Sequence, residues 1–127
     1  MTFMSHDDVA RLVKAACDGD ANAFHTLIEA SHAVVRLLIE RFHREPDGVA
    51  RAKIVEIIWQ HRQSSSIEFL SKAFEDSYPE VWKQALDGLV TLGGPEASSA
   101  LVRFMDDNPK DKRVTWVREA LQQLAIG

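Results

Sequence analysis

Proline and glycine are sparse in this chain and gather into a few breaks: Asp18-Gly19-Asp20, Glu45-Pro46-Asp47-Gly48, Asp76-Ser77-Tyr78-Pro79 and Gly93-Gly94-Pro95. The polar stretches 63–66 and 106–111 add two more. Nearly every segment between them is 10 to 16 residues long, with apolar positions three or four apart. That spacing puts the apolar residues on one side of a helix, whereas a half-buried strand would alternate. Helices are expected near 6–18, 21–30, 32–44, 48–62, 66–76, 80–92, 96–106 and 112–125. Ser31 and His32 are the only hint that 21–44 is two helices rather than one. Ser5 with Asp8, and Ser65 with Glu68, have the three-residue spacing of a reciprocal cap on free backbone N–H groups. Asp20 is placed to cap the next helix, and Pro79 and Pro95 suit a first helical position, where the missing N–H costs nothing. No β-branched alternation and no Asn-Gly hairpin turn appears, so the fold class is all-α.

The helices repeat. A shift of 32 residues carries Val35, Leu37, Leu38, Phe42 and Val49 onto Ile67, Phe69, Leu70, Phe74 and Val81. A shift of 31 then carries Leu70, Ala73, Phe74 and Asp76 onto Leu101, Phe104, Met105 and Asp107. After one more loop residue, Ala85, Gly88, Leu89 and Leu92 fall on Val117, Ala120, Leu121 and Leu124. One helix pair cannot bury its apolar face alone, so repeated pairs stack into a continuous core.

The segment 70–93, LSKAFEDSYPEVWKQALDGLVTLG, resembles the HEAT-repeat pattern, with Asp76, Pro79, Val81, Ala85, Leu89 and Leu92 in the expected places. The resemblance extends over 33–125. It implies a right-handed α-α superhelix of about four stacked antiparallel helix pairs in a single domain, 1–127. The clearest repeats are 33–62, 66–93 and 95–125, with 1–32 as amino-terminal capping helices. In the first helix, Asp7, Asp8, Arg11 and Lys14 lie opposite Val9, Leu12, Val13 and Ala16, which suits a cap. Two positions depart from the pattern. Trp82 stands where the family carries an Arg reaching back to the turn Asp, so that interaction is expected to be lost. Lys53 occupies a small-residue slot unless the register slips by one.

Charge narrows the function. The chain carries 15 basic and 19 acidic residues, a net charge of −4, which disfavours a nucleic-acid partner because phosphate neutralisation needs a basic face. No apolar run reaches the roughly 20 residues of a membrane span, and the segment 1–8 has no basic-then-apolar signal pattern. The single cysteine, Cys17, lies on an apolar helical stretch and reads as a small buried filler, and the expected setting is cytoplasmic.

Little in the chain points to catalysis. Glu29 with His32, and Glu40 with His43, have a Glu-x-x-His spacing used in di-iron proteins, but both fall in one short stretch without a second set. HEAT-like deoxyhypusine hydroxylases hold iron on His-Glu dipeptides, and none occurs here. Cys17 has His25 nearby but no orienting Asn or Asp in a recognisable context. Ser64 to Ser66 lacks the Gly-x-Ser-x-Gly turn that exposes a hydrolase nucleophile. No metal and no cofactor are expected.

The resemblance implies instead a protein-binding module whose second helices line a concave face. Projected at about 100° per residue, the outer arc of those helices holds Lys53, Glu56 and Gln60, then Gln84, Asp87 and Thr91, then Thr115, Arg118, Glu119 and Gln122. Trp82, at the apolar edge and flanked by Lys83, is expected to be half exposed as an interface anchor, with Trp59 and Trp116 packed between repeats. One concrete form is an immunity protein that plugs a toxin's active site. The alternative is a HEAT-like enzyme or cofactor protein, a lyase or metal-dependent hydroxylase.

Overall fold

The computed structural model describes residues 4–126, the side chain of Ile126 excepted. Residues 1–3, part of the segment read above for a signal, lie outside this range. Among the described residues there are eight α-helices, one 3₁₀ turn and no strand. They are α1 (His6–Cys17), α2 (Ala21–Glu29), α3 (Val34–Arg44), α4 (Gly48–Gln60), α5 (Ile67–Ala73), α6 (Pro79–Leu92), α7 (Gly94–Asp107) and α8 (Arg113–Ile126).

Local chemistry sets the boundaries. Ser5 and Asp8 form the reciprocal cap, at 3.0 and 3.1 Å, and the Asp20 carboxylate receives the N–H groups of Asn22 and Ala23. Pro79 opens α6, and Pro95 lies in the first turn of α7. Residues 21–44 form two helices: Ala30 leaves helical geometry at ψ 161° and the chain turns before Val34. The Ser65–Glu68 cap does not form. Ser64–Ser66 coil into a 3₁₀ turn that runs straight into α5, and no side chain caps that helix. The fifth helix is therefore shorter than 66–76.

Sequential helices pack as pairs, α1 on α2, α3 on α4, α5 on α6 and α7 on α8. The second helices meet one another, α4 against α6 and α6 against α8, and α5 meets α7 on the other side. One connected core runs from Val9 and Val13 through Ile54, Ile58, Leu70, Phe74 and Leu89 to Val117 and Ala120. The repeat register is confirmed at Leu70 and Leu101, at Ala85 and Val117, and at Gly88 and Ala120, all of them buried. It fails at Val49, which is 49% exposed where Val81 is fully buried. Burial instead aligns Ala50, Ile54, Val55 and Ile58 with Val81, Ala85, Leu86 and Leu89, a slip of one residue that moves Lys53 out of the small-residue slot.

That slip sets Arg51 level with Trp82 and restores the arginine contact expected to be lost. The Arg51 guanidinium donates to both carboxylate oxygens of Asp76, at 3.2 and 3.4 Å, and to the carbonyls of Glu45 and Pro46. Arg113, at the start of α8, reaches the same turn and donates to the carbonyls of Phe74 and Asp76, at 2.7 and 3.1 Å.

Candidate functional site

The predicted row lies on α4, α6 and α8, the helices that also meet along one side of the stack. Lys53, Glu56, Gln60 and Gln84 are partly exposed, and Lys83, Asp87, Thr91, Thr115, Arg118, Glu119 and Gln122 are exposed. Lys53 is engaged, pairing with Glu56 at 3.2 Å and lying 4.9 Å from the centre of the Phe24 ring. Gln84 accepts a hydrogen bond from the Trp59 indole N–H at 2.9 Å, which fixes that ring between α4 and α6.

Two tryptophans exchange the roles expected of them. Trp82 is 4% exposed and does not anchor a partner. Its ring packs edge-on against Phe74 and Trp116, with the Arg113 guanidinium 5.7 Å from its centre. Trp116, expected in the core, is 44% exposed. Among the described residues no helix pair packs over the outer side of α8, and the ring is left partly in solvent there. Trp59 packs between repeats as expected, against Gly88 and next to Leu70.

Between α4, α6 and α8 lies a cleft of about 340 Å³, lined by Trp59, Leu86, Asp87, Val90, Trp116 and Glu119 among others. It joins three members of the predicted row (Asp87, Thr91 and Glu119) to two tryptophans that the row did not contain. Their signal in the sequence was position: Trp116 stands three residues before Glu119 and so shares its side of the helix. Lost solvation lifts the Asp87 carboxyl above its ordinary value, and the charge of Glu56 adds to the lift. A larger open groove, about 710 Å³, lies on the opposite side between α5 and α7, with Ser64, Glu68, Lys72, Glu75 and Arg103 among its lining. It has charges of both signs and no aromatic ring. It lacks the tryptophan that could anchor a partner, and volume alone does not make it the better site.

Three of the five histidines make polar contacts within the fold. His61 is buried, its Nε2 hydrogen-bonded to the Leu27 carbonyl at 2.9 Å and its Nδ1 3.0 Å from Nδ1 of His32. His32 is thus tied to His61 across the α2–α3 and α4 ends, and Glu40 turns to His6 at 2.8 Å. Neither Glu-x-x-His spacing assembles a ligand set, and no group of three or more potential metal ligands occurs among the described residues. Cys17 is half-buried at the edge of the core, and burial pushes its thiol up, away from the reactive thiolate. No helix among the described residues is long and apolar enough to cross a membrane.

A family model described as HEAT repeats matches residues 35–122. No curated protein and no solved structure matches the chain.

Proposed function

The chain belongs to the HEAT-repeat family, and from that premise we propose that it is a non-catalytic module that recognises a protein partner through the concave face carried by α4, α6 and α8. HEAT repeats generally mediate contacts between proteins. The observation that carries the reading is the exposed Trp116 on the rim of a cleft of mixed polar and apolar lining shared with Trp59. Tryptophan is the side chain whose burial most often dominates an interface, and leaving it in water is unfavourable without a partner. Thr91 lines the cleft, and Thr115, Arg118 and Gln122 are exposed on α8, supplying hydrogen-bonding groups and charge suited to a polar rim.

The concrete form is an immunity protein in the cytoplasm, bound to a toxin made by the same cell. A net charge of −4 fits a plug for a basic active site. Capture of the partner from a lysate of the source cell tests the face. Thr91→Arg with Arg118→Glu should abolish capture and leave the thermal melt unchanged, since both side chains are exposed. Glu68→Lys with Arg103→Glu, on the α5–α7 side, should have no effect. Loss of capture in the second pair alone would move the interface to the other face.

A further inference from the structure

We propose that the cleft between Trp59 and Trp116 receives a lysine or arginine side chain of the partner, its cation held by Asp87 and Glu119. This rests on the concave-face reading and adds the chemistry of the occupant. The charged residues lining the cleft are both carboxylates, and among the described residues neither is in an ion pair. The nearby acid Glu56 pairs with Lys53 at 3.2 Å, whereas Asp87 and Glu119 have no such partner among the described residues. The cleft walls are Trp59, Leu86, Val90 and Trp116, apolar surface that accepts the methylene stem of a long basic side chain while its head reaches the acids.

The ring faces favour the same occupant, because an indole attracts a cation to its face. The chain already makes such a contact on Trp116: the Lys83 ammonium stands 5.4 Å from that ring's centre, and Lys83 does not line the cleft. An apolar occupant would strip water from Asp87 and Glu119 without replacing it, and an acidic one would add a third like charge. Asp87 bears on the same point: it has lost part of its solvation and lies near Glu56, so an incoming cation gains more from it than from a fully hydrated carboxylate. At about 340 Å³ and open to solvent, the cleft has room for a side chain and its flanking backbone, not for a packed helix.

The probe is a short peptide of alternating lysine and serine, titrated at physiological salt, where the screening length is about 8 Å. Its N-acetyllysine and glutamate counterparts serve as controls, and the indole N–H resonances report binding. The lysine peptide should shift the Trp59 and Trp116 signals to saturation, and the two controls should not. Asp87→Asn with Glu119→Gln should weaken the lysine peptide by about tenfold or more while the protein remains folded. Equal binding of the acetylated peptide, or an affinity unchanged in the double variant, would overturn the proposal. So would a lysine peptide that shifts neither indole while Trp116→Ala still abolishes partner capture. That last result would leave the concave-face reading standing, which separates the two failures.

Discussion

Gly88 is a position where the stack tolerates little. A Cβ built there lies 2.8 Å from Cβ and 2.9 Å from Cγ of Trp59, and 3.0 Å from Cδ1 of Leu70. The leucine methyl is the far end of a flexible side chain and can yield. The two tryptophan atoms are the root of a ring whose N–H is tied to Gln84, so relief requires α4 and α6 to separate. Replacing a mid-helix glycine by alanine gains about 1 kcal/mol of helix propensity, and overpacking costs about 1–3 kcal/mol. Gly88→Ala should therefore lose between about 0 and 2 kcal/mol. Gly88→Leu places three further carbons in the same gap and should lose about 3 kcal/mol. For a chain of this length that is a fall of roughly 12 °C in Tm, taking about 4 °C per kcal/mol. Urea titration followed by far-ultraviolet circular dichroism measures the loss, and near-ultraviolet dichroism reports the displaced Trp59. If Gly88→Leu melted with the parent, or Gly88→Ala gained the full helix-propensity increment, the close approach of α4 and α6 would be wrong.

Four further substitutions probe other parts of the structure. Asp76→Ala removes the carboxylate from a largely buried arginine pair, and because Arg51 keeps two carbonyl partners the loss should be about 2 kcal/mol by urea titration. His61→Ala should cost about 2–3 kcal/mol and His32→Ala about 1 kcal/mol, because only the first also strands the Leu27 carbonyl in the core; the reverse order of melting temperatures would contradict the hydrogen bonds described. Asp87 has a folded-state pKa above its unfolded value, so its ionisation weakens the fold, and the stability it lends when protonated disappears as pH rises through the folded value. Asp87→Asn should thus melt slightly above the parent at pH 7, with the gap closing below about pH 4; a variant less stable at neutral pH would reverse the sign.

The helices were legible because each has an apolar stripe of its own and polar or Pro/Gly breaks at its ends. The break between α2 and α3 was nearly silent, because Ala30 leaves the helix without Gly or Pro to announce it. The second-helix row was legible for the same reason as the helices: a periodic projection separates the outward arc from the core. The tryptophans were not. Trp82 lies at an apolar edge in projection, and only the convergence of Phe74, Trp116 and Arg113 from other elements buries it. Trp116 has a core-like sequence neighbourhood, and its exposure depends on what packs over α8. The one-residue slip in α4 was visible as a misfit at Lys53, yet its consequence for Arg51 and Asp76 required two repeats side by side.

The turn at 74–76 is gripped from both directions, by Arg51 from the helix pair before it and by Arg113 from the pair after it. In a stack where each unit touches only its neighbours, unravelling can begin at either end and proceed one unit at a time. Here a single loop acts as a rivet through three consecutive units. A force applied to the two ends of the chain would load both guanidinium groups against the same few backbone atoms. The segment spanning α4 to α8 should then give way as one event, with α1 and α2, which lie outside the rivet, peeling away at lower load.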